Sequence, residues 1–176
     1  MSKGRLYVCG TPIGNLKDIT LRALEILKKV DLIAAEDTRR TQKLLNYYEI
    51  DTPLTSYHEH NAKQKKERLL SKIKTGSEIA LVSDAGMPTI SDPGYELVKL
   101  LGDENVEIIP IPGPTAMTSA LVVSGLATDR FTFEGFLPRK KGERKHYLQD
   151  LETETRTMLF YESPRRIVKT LRDILD

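Results

Sequence analysis

Short aliphatic runs alternate along this chain with amphipathic segments, and three of the runs open directly into loops built of glycine and proline. Arg5 to Val8 leads into Gly10-Thr11-Pro12-Ile13-Gly14-Asn15. Ile79-Ala80-Leu81-Val82 leads into Ser83 to Gly94, and Val106-Glu107-Ile108-Ile109 into Pro110-Ile111-Pro112-Gly113-Pro114-Thr115-Ala116. Strands without a polar alternate face are buried on both sides, which requires a parallel sheet covered by helices above and below. Proline fixes φ and removes a donor, while glycine permits close backbone approach, so such loops hold their remaining N–H and C=O groups in set directions. Open α/β sheets hold small molecules on loops of this kind, at the carboxyl ends of their strands. Glycine and proline also punctuate ordinary turns. Three such loops in one domain favour a shared pocket.

The remaining elements follow from periodicity. Thr20 or Asp18 can cap a helix carrying Leu21, Leu24, Ile26, Leu27 and Val30 on one face. Leu32 to Ala35 reads as a second strand, Thr38 to Tyr48 as a helix, and Pro53 to Ser56 as a short strand. A basic helix is expected over Asn61 to Lys74, and further helices over Tyr95 to Leu101 and Ala116 to Val123. After Gly125 the texture changes. Arg130 to Phe136 alternates like a half-exposed strand, Thr157 to Tyr161 is a second, helix 143–151 lies between them, and a last helix begins at Ser163-Pro164. The expected organisation is an α/β domain over residues 1–124 and a partial α/β domain over 125–176, too small to bury much of a core alone.

Composition narrows the function classes. No apolar stretch reaches the ~18 to 20 residues that a membrane-spanning helix needs. The single Cys9 lies in an aliphatic run and reads as a small core residue, which suits a soluble protein in the reducing cytoplasm. With 27 basic and 25 acidic residues the net charge is only +2, so distribution matters more than total. Arg139 to His146 holds five Lys/Arg against one Glu, and Lys63 to Lys74 holds six against one. Either run is a solvated helix face or a phosphate-contacting patch, and sequence alone leaves both open.

Candidate chemistry gathers at strand ends. Gly10-Thr11-Pro12-Ile13-Gly14 lacks the third glycine of the dinucleotide fingerprint and the lysine of a P-loop. A nucleoside with a charged, phosphate-free tail suits it better, and S-adenosylmethionine is the common ligand of that description. Ala35-Glu36-Asp37-Thr38-Arg39 would place two carboxylates and an arginine where the second strand meets its helix, although capping accounts for Asp37 without any function. Asp84 could accept from a ligand hydroxyl, whereas Asp92 before Pro93 reads as a turn-former. His58-Glu59-His60 offers at most two metal ligands on one face of an extended segment, so no metal is expected. His58 and His60 remain candidates for proton transfer.

Taken together these segments resemble the tetrapyrrole methylase superfamily, and within it the ribosomal RNA small-subunit methyltransferase I family. The resemblance is carried by Thr11-Pro12-Ile13-Gly14-Asn15-Leu16 with Asp18-Ile19-Thr20, Ala35 to Arg39, Val82 to Gly94, Pro112-Gly113-Pro114 with Ala116, Phe133 to Pro138, and Tyr161-Glu162-Ser163-Pro164 with Arg166. It implies two α/β domains with a cofactor cleft between them, here with the second domain shortened, and usually a homodimer. It also implies S-adenosylmethionine as cofactor, contacted by Pro12, Asp84, Met87, Thr115, Ala116 and Leu137. Glu36, Asp37, Arg39 and His58 would lie on the substrate side. The implied reaction is methylation of a cytidine ribose 2′-oxygen in 16S ribosomal RNA, on free RNA or on the assembled small subunit.

Two other readings share these residues. One is methylation of a tetrapyrrole ring carbon, which uses the same fold and cofactor. The other is a non-catalytic RNA-binding or dimerisation module, in which a shortened second domain leaves the cofactor site unfinished.

Overall fold

In the described residues 4–175 of the computed structural model, seven strands alternate with seven α-helices. The first nine of these elements are β1 (Arg5–Cys9), α1 (Leu21–Lys29), β2 (Leu32–Ala35), α2 (Thr38–Tyr47), β3 (Leu54–Ser56), α3 (Ala62–Lys74), β4 (Ile79–Val82), α4 (Tyr95–Asp103) and β5 (Glu107–Ile111). They belong to a compact unit that runs through Thr115. Their strands form one sheet in the order β3-β2-β4-β1-β5, with every pair parallel.

This order follows from the handedness of the connections. From β1 to β2 to β3 the chain steps one way across the sheet through α1 and α2; from β3 to β4 to β5 it steps back through α3 and α4. Right-handed crossovers then put the two helix pairs on opposite faces. Tyr7, Cys9, Ile33, Ala35, Ala80 and Val82 pack with Ala23 and Leu27 of α1 and Leu44 and Leu45 of α2. Leu6, Val8, Ala34, Ile79 and Leu81 pack with Leu69 and Ile73 of α3 and Leu97 and Leu101 of α4. Neighbouring residues of β1 and β4 thus enter different cores, so neither strand has a polar face. Cys9 is fully buried, and burial pushes its thiol up to about 12.

Local chemistry sets the element ends. Thr20 Oγ1 accepts from the Ala23 N–H at 3.1 Å and starts α1; Asp37 Oδ1 accepts from the Arg39 N–H at 2.8 Å and starts α2. β5 continues through Pro110, two residues beyond the aliphatic run's expected end. It can do so because it is an edge strand, where a missing N–H costs no ladder bond.

The second unit begins at Ala116. It contains α5 (Ala116–Val123), β6 (Phe131–Phe136), α6 (Lys141–Asp150), β7 (Thr157–Tyr161) and α7 (Ile167–Leu175). The compact units therefore meet before α5, not after it near residue 124. α5 packs on β7, and its Met117 N–H donates to the Tyr161 hydroxyl at 3.3 Å. β6 and β7 pair in parallel, with a bulge between Phe133 and Gly135 that Gly135 accommodates at φ 64°.

Two strands and three helices enclose little apolar volume, and polar links hold much of this unit together. Arg144, 1% exposed, donates from Nε to Asp173 at 2.8 Å and from one Nη to the Pro138 and Arg139 carbonyls at 3.0 Å each. Thr170 Oγ1 donates to Glu162 at 2.7 Å, and Arg166 joins Glu162 to the carbonyls of Leu137 and Pro138. Burial pushes the Glu162 carboxyl up. The Thr170 hydroxyl, the Ser163 N–H and the Arg166 charge outweigh it and hold the group below its ordinary value.

Both basic runs change meaning in the fold. Arg144, one of the five positive residues between Arg139 and His146, is a core residue. On α3, Lys65 reaches Thr55, Lys66 pairs with Glu96 and Lys74 with Glu104. Among the described residues no helix is long and apolar enough to cross a membrane.

Candidate functional site

The loops at the carboxyl edge of the five-stranded sheet interlock. Thr11 and Gly86 exchange backbone hydrogen bonds of 2.9 and 3.0 Å, and Thr11 Oγ1 donates to the Ser83 carbonyl at 3.1 Å. Gly10 and Gly113 touch through their backbones. A Cβ on Gly10 would stand 2.8 Å from the Gly113 Cα and 2.8 Å from the Met87 sulfur, so any side chain there would push the loops apart. The 83–94 loop also carries strain, because Thr89 and Ser91 sit at φ 75° and 58° without being glycine. The three Gly/Pro loops are therefore one packed assembly. Pro12, Met87 and Thr115 lie on it, half-buried.

Beside it, two carboxylates lock β2 to β4 by exchanging backbone donors. Glu36 Oε2 accepts from the Asp84 N–H at 3.2 Å, and Asp84 Oδ1 accepts from the Asp37 N–H at 3.1 Å. The second oxygen of Asp84 pairs with Arg40 at 3.2 Å. Both oxygens of Asp84 are thus engaged within the chain. Arg39 turns back on Asp37 in a bidentate pair of 3.0 and 2.7 Å, with its side chain 88% exposed.

These contacts separate the acids by character. Arg39 hydrogen bonds, reinforced by the N–H groups at the start of α2, hold Asp37 far below the usual carboxylate range. Burial raises Glu36, with Asp84 and Asp92 adding to the rise against the Asp84 N–H and Arg40. Burial likewise raises Asp92, the Ser83 hydroxyl opposing and the Asp84 charge assisting. A proton acceptor works best when its pKa approaches the ambient pH. Glu36 and Asp92 are moved in that direction; Asp37 is moved away.

A cavity of about 580 Å³ brings Glu36 and Asp92 together with Tyr57, His58, His60 and Tyr95. Asp37, Arg39, Asp84 and Met87 do not line it. His58 is held by Asn61 in a way that assigns its tautomer. The His58 backbone N–H donates to Asn61 Oδ1 at 3.0 Å, so the other end of that amide is its NH₂ group, which faces Ser56 Oγ and His58 Nε2 at 3.1 Å each. An NH₂ group only donates, so Nε2 accepts and the neutral ring carries its proton on Nδ1. Nδ1 is buried without a partner among the described residues. The lone pair that a histidine base would use is thus already occupied by Asn61.

Of the residues singled out by sequence, the fold gathers Glu36 and His58 in one cavity, and Pro12, Met87 and Thr115 on the interlocked loops. In the second unit, Ala116 is exposed at the start of α5, and Leu137 is 2% exposed after β6. Asp92 belongs to the cavity although sequence marked it as a turn residue, and Tyr57, just past the strand expected over Pro53 to Ser56, joins it there. Ser91 before Asp92, in a loop too rich in glycine and proline for a simple turn, was the available signal. Among the described residues no group of three or more His, Cys, Asp or Glu could hold a metal ion.

Comparison with known proteins follows the same lines. Residues 5–176 match the family described as tetrapyrrole (corrin/porphyrin) methylases. The chain is 57% identical over 171 residues to a protein of Synechocystis sp. named ribosomal RNA small subunit methyltransferase I, covering 97% of this chain and 61% of that protein. It is 54% identical over 173 residues to the Thermotoga maritima protein of the same name, covering 98% of this chain and 78% of the relative. It therefore spans about three fifths of the first relative's length. Among solved structures, uroporphyrin-III C-methyl transferase from Thermus thermophilus, complexed with S-adenyl homocysteine, superposes with a TM-score of 0.64 at 21% identity over 98% of this chain and 76% of that one. At that identity the likeness is one of fold.

Proposed function

We propose, from the premise that the chain belongs to the tetrapyrrole (corrin/porphyrin) methylase family, that it serves S-adenosylmethionine-dependent methylation of small-subunit ribosomal RNA. The acceptor is a cytidine ribose 2′-oxygen of 16S RNA, and the working form is a cytoplasmic homodimer. The observation that carries this reading is identity above 50%, across nearly the whole chain, to relatives named for that class of enzyme. The tetrapyrrole-modifying enzymes share the fold at about a fifth of identical positions, which favours no common substrate.

The residues suit the cofactor. Pro12, Met87 and Thr115 present backbone groups and apolar or hydroxyl side chains without a cation, which suits a ligand lacking phosphate. The carboxylates of Glu36, Asp84 and Asp92 give this sheet edge a negative field, which favours a positively charged sulfonium. When bound, that group supplies an already activated methyl.

The chain's own residues then have to orient and deprotonate. Glu36, with one oxygen tied to the Asp84 N–H and its pKa raised by burial, is the proposed acceptor of the hydroxyl proton. His58, its ring held by Asn61, lines the cavity beside Glu36. Asp37 and Arg39, already paired, hold the start of α2 and the substrate side. In-line alignment of nucleophile, methyl and leaving sulfur is the main requirement, and interlocked loops provide the rigidity for it.

Calorimetric titration with S-adenosylmethionine and S-adenosylhomocysteine, followed by methyl transfer to small ribosomal subunits, tests the reading. Micromolar binding and labelled 16S RNA are the expected results. Failure of both, in this chain and in a version extended at its carboxyl end, would overturn it.

A further inference from the structure

We infer that Lys141 of α6, Arg165 in the turn before α7, and Lys169 and Arg172 on α7 form an anchor for the phosphate backbone of single-stranded RNA. This rests on the proposal that RNA is the substrate and adds a second contact surface to it. The four side chains line a cavity of about 630 Å³, along with Val168 and Asp173. Asp173 is the one carboxylate among the lining residues; it is hydrogen-bonded to Arg144 and also feels the Lys141 charge. Lys141, Arg165, Lys169 and Arg172 are all exposed, and none makes an ion pair or hydrogen bond with another described residue.

Several other positive residues of this unit are engaged: Arg166 pairs with Glu162, Lys140 with Glu143 and Arg156 with Glu154. Lys141, Arg165, Lys169 and Arg172 converge on one cavity. Arg165 lies in the turn that leads into α7, and a spacing of three residues puts Lys169 and Arg172 on one face of the helix, where like charges repel and cost it stability. A free cationic cluster of this kind is stabilised only when an anion arrives.

The shape of the cluster selects the anion. Four cations around one cavity exceed what a single phosphate ion needs and suit successive phosphates of one strand. Two arginines can each grip phosphate oxygens with paired N–H groups, and lysines add point charge. On α3, Lys65, Lys66 and Lys74 already have partners.

The test is fluorescence anisotropy of a labelled single-stranded RNA of arbitrary sequence, measured over a range of salt with the whole chain and with Arg165→Ala, Lys169→Ala, Arg172→Ala and the double variant K169E/R172E. These side chains are exposed, and circular dichroism is the check that each variant folds. Each alanine should lower the slope of log affinity against log salt by about 0.7, and the double charge reversal should abolish low-salt binding. Lys63→Ala on α3 should leave the slope unchanged. Unchanged slopes in all α7 variants would overturn the inference, and so would displacement of the RNA by polyglutamate at equal charge concentration. Titration of the same variants with S-adenosylhomocysteine separates the two proposals. RNA binding that follows the α7 charges without cofactor binding would leave the anchor and sink the methyl-transfer reading; the reverse pattern would do the opposite.

Discussion

The two units reach stability by different means. In the first, five strands are sandwiched between helix pairs, and each fully buried Leu or Ile adds about 1.5–3 kcal/mol by leaving water. In the second, two strands leave Phe131, Phe136, Val168, Leu171 and Ile174 exposed, and a buried arginine with its carboxylate and carbonyl partners ties α6 to α7. A large apolar core can tolerate strain and crowded acids at its edge, such as Thr89 at positive φ and the Glu36, Asp84 and Asp92 group. A small one depends on each polar link being complete.

That contrast can be tested at single residues. Arg144→Ala should unfold the second unit selectively, costing about 3–5 kcal/mol because Asp173 and two carbonyls lose their partner. Hydrogen exchange would show fast amides in β6, β7 and α7 while β1 and β4 stay protected. Replacing both partners, as R144M/D173L, should recover much of the loss. Leu97→Ala is the matching truncation in the first unit, expected to cost about 2–5 kcal/mol and to expose α4 and β4 instead.

Activity and stability should separate at Glu36. Glu36→Gln can still accept the Asp84 N–H, so the fold should survive with a melting temperature at neutral pH equal to or above the parent's. Methyl transfer should fall about 10²–10⁴-fold if Glu36 takes the proton. Retained activity in this variant would move the role to Asp92 or to solvent.

Removing a helix start should have a smaller effect. Thr20→Ala deletes the acceptor for the Ala23 N–H and should cost about 1 kcal/mol, read as a shift in the denaturant midpoint.

The pH responses should be the subtlest, and opposite in sign. Glu36 and Asp92 have folded pKa values above their ordinary 4.5 and 3.8, so their contribution favours folding at low pH and is lost as pH rises through the folded values. Asp173, lowered chiefly by its Arg144 hydrogen bonds, favours folding above its ordinary 3.8 and loses that contribution as pH falls through its folded value. Mild acidification should therefore firm the first unit before stronger acid loosens the second, as amide exchange across the two units would show.

Residues 4–115 were largely readable from sequence because their cause is local. Aliphatic runs without polar alternation announced a sheet covered on both faces, and Thr20 and Asp37 start helices with their own side chains. The second unit was harder to read. Arg144 sits in a run of positive charge, and nothing nearby in sequence says that Asp173 waits for it 29 residues later. α5 is apolar enough to belong to either unit, and its packing on β7 settled where it went.

At the site, residue types and loops were visible in advance, and pairings were not. Glycine and proline patterns located the interlocking loops, since backbone freedom is a property of single residues. The exchange of donors between Glu36 and Asp84, the inclusion of Asp92 in the cavity, the tautomer of His58 and the convergence of Lys141 with α7 all join groups distant in sequence or dependent on exact facing. Sequence carried what one residue does to its own backbone and to its neighbours on the same strand or helix. Only the tertiary structure decided which charge meets which, because desolvation and Coulomb energy depend on distance through space.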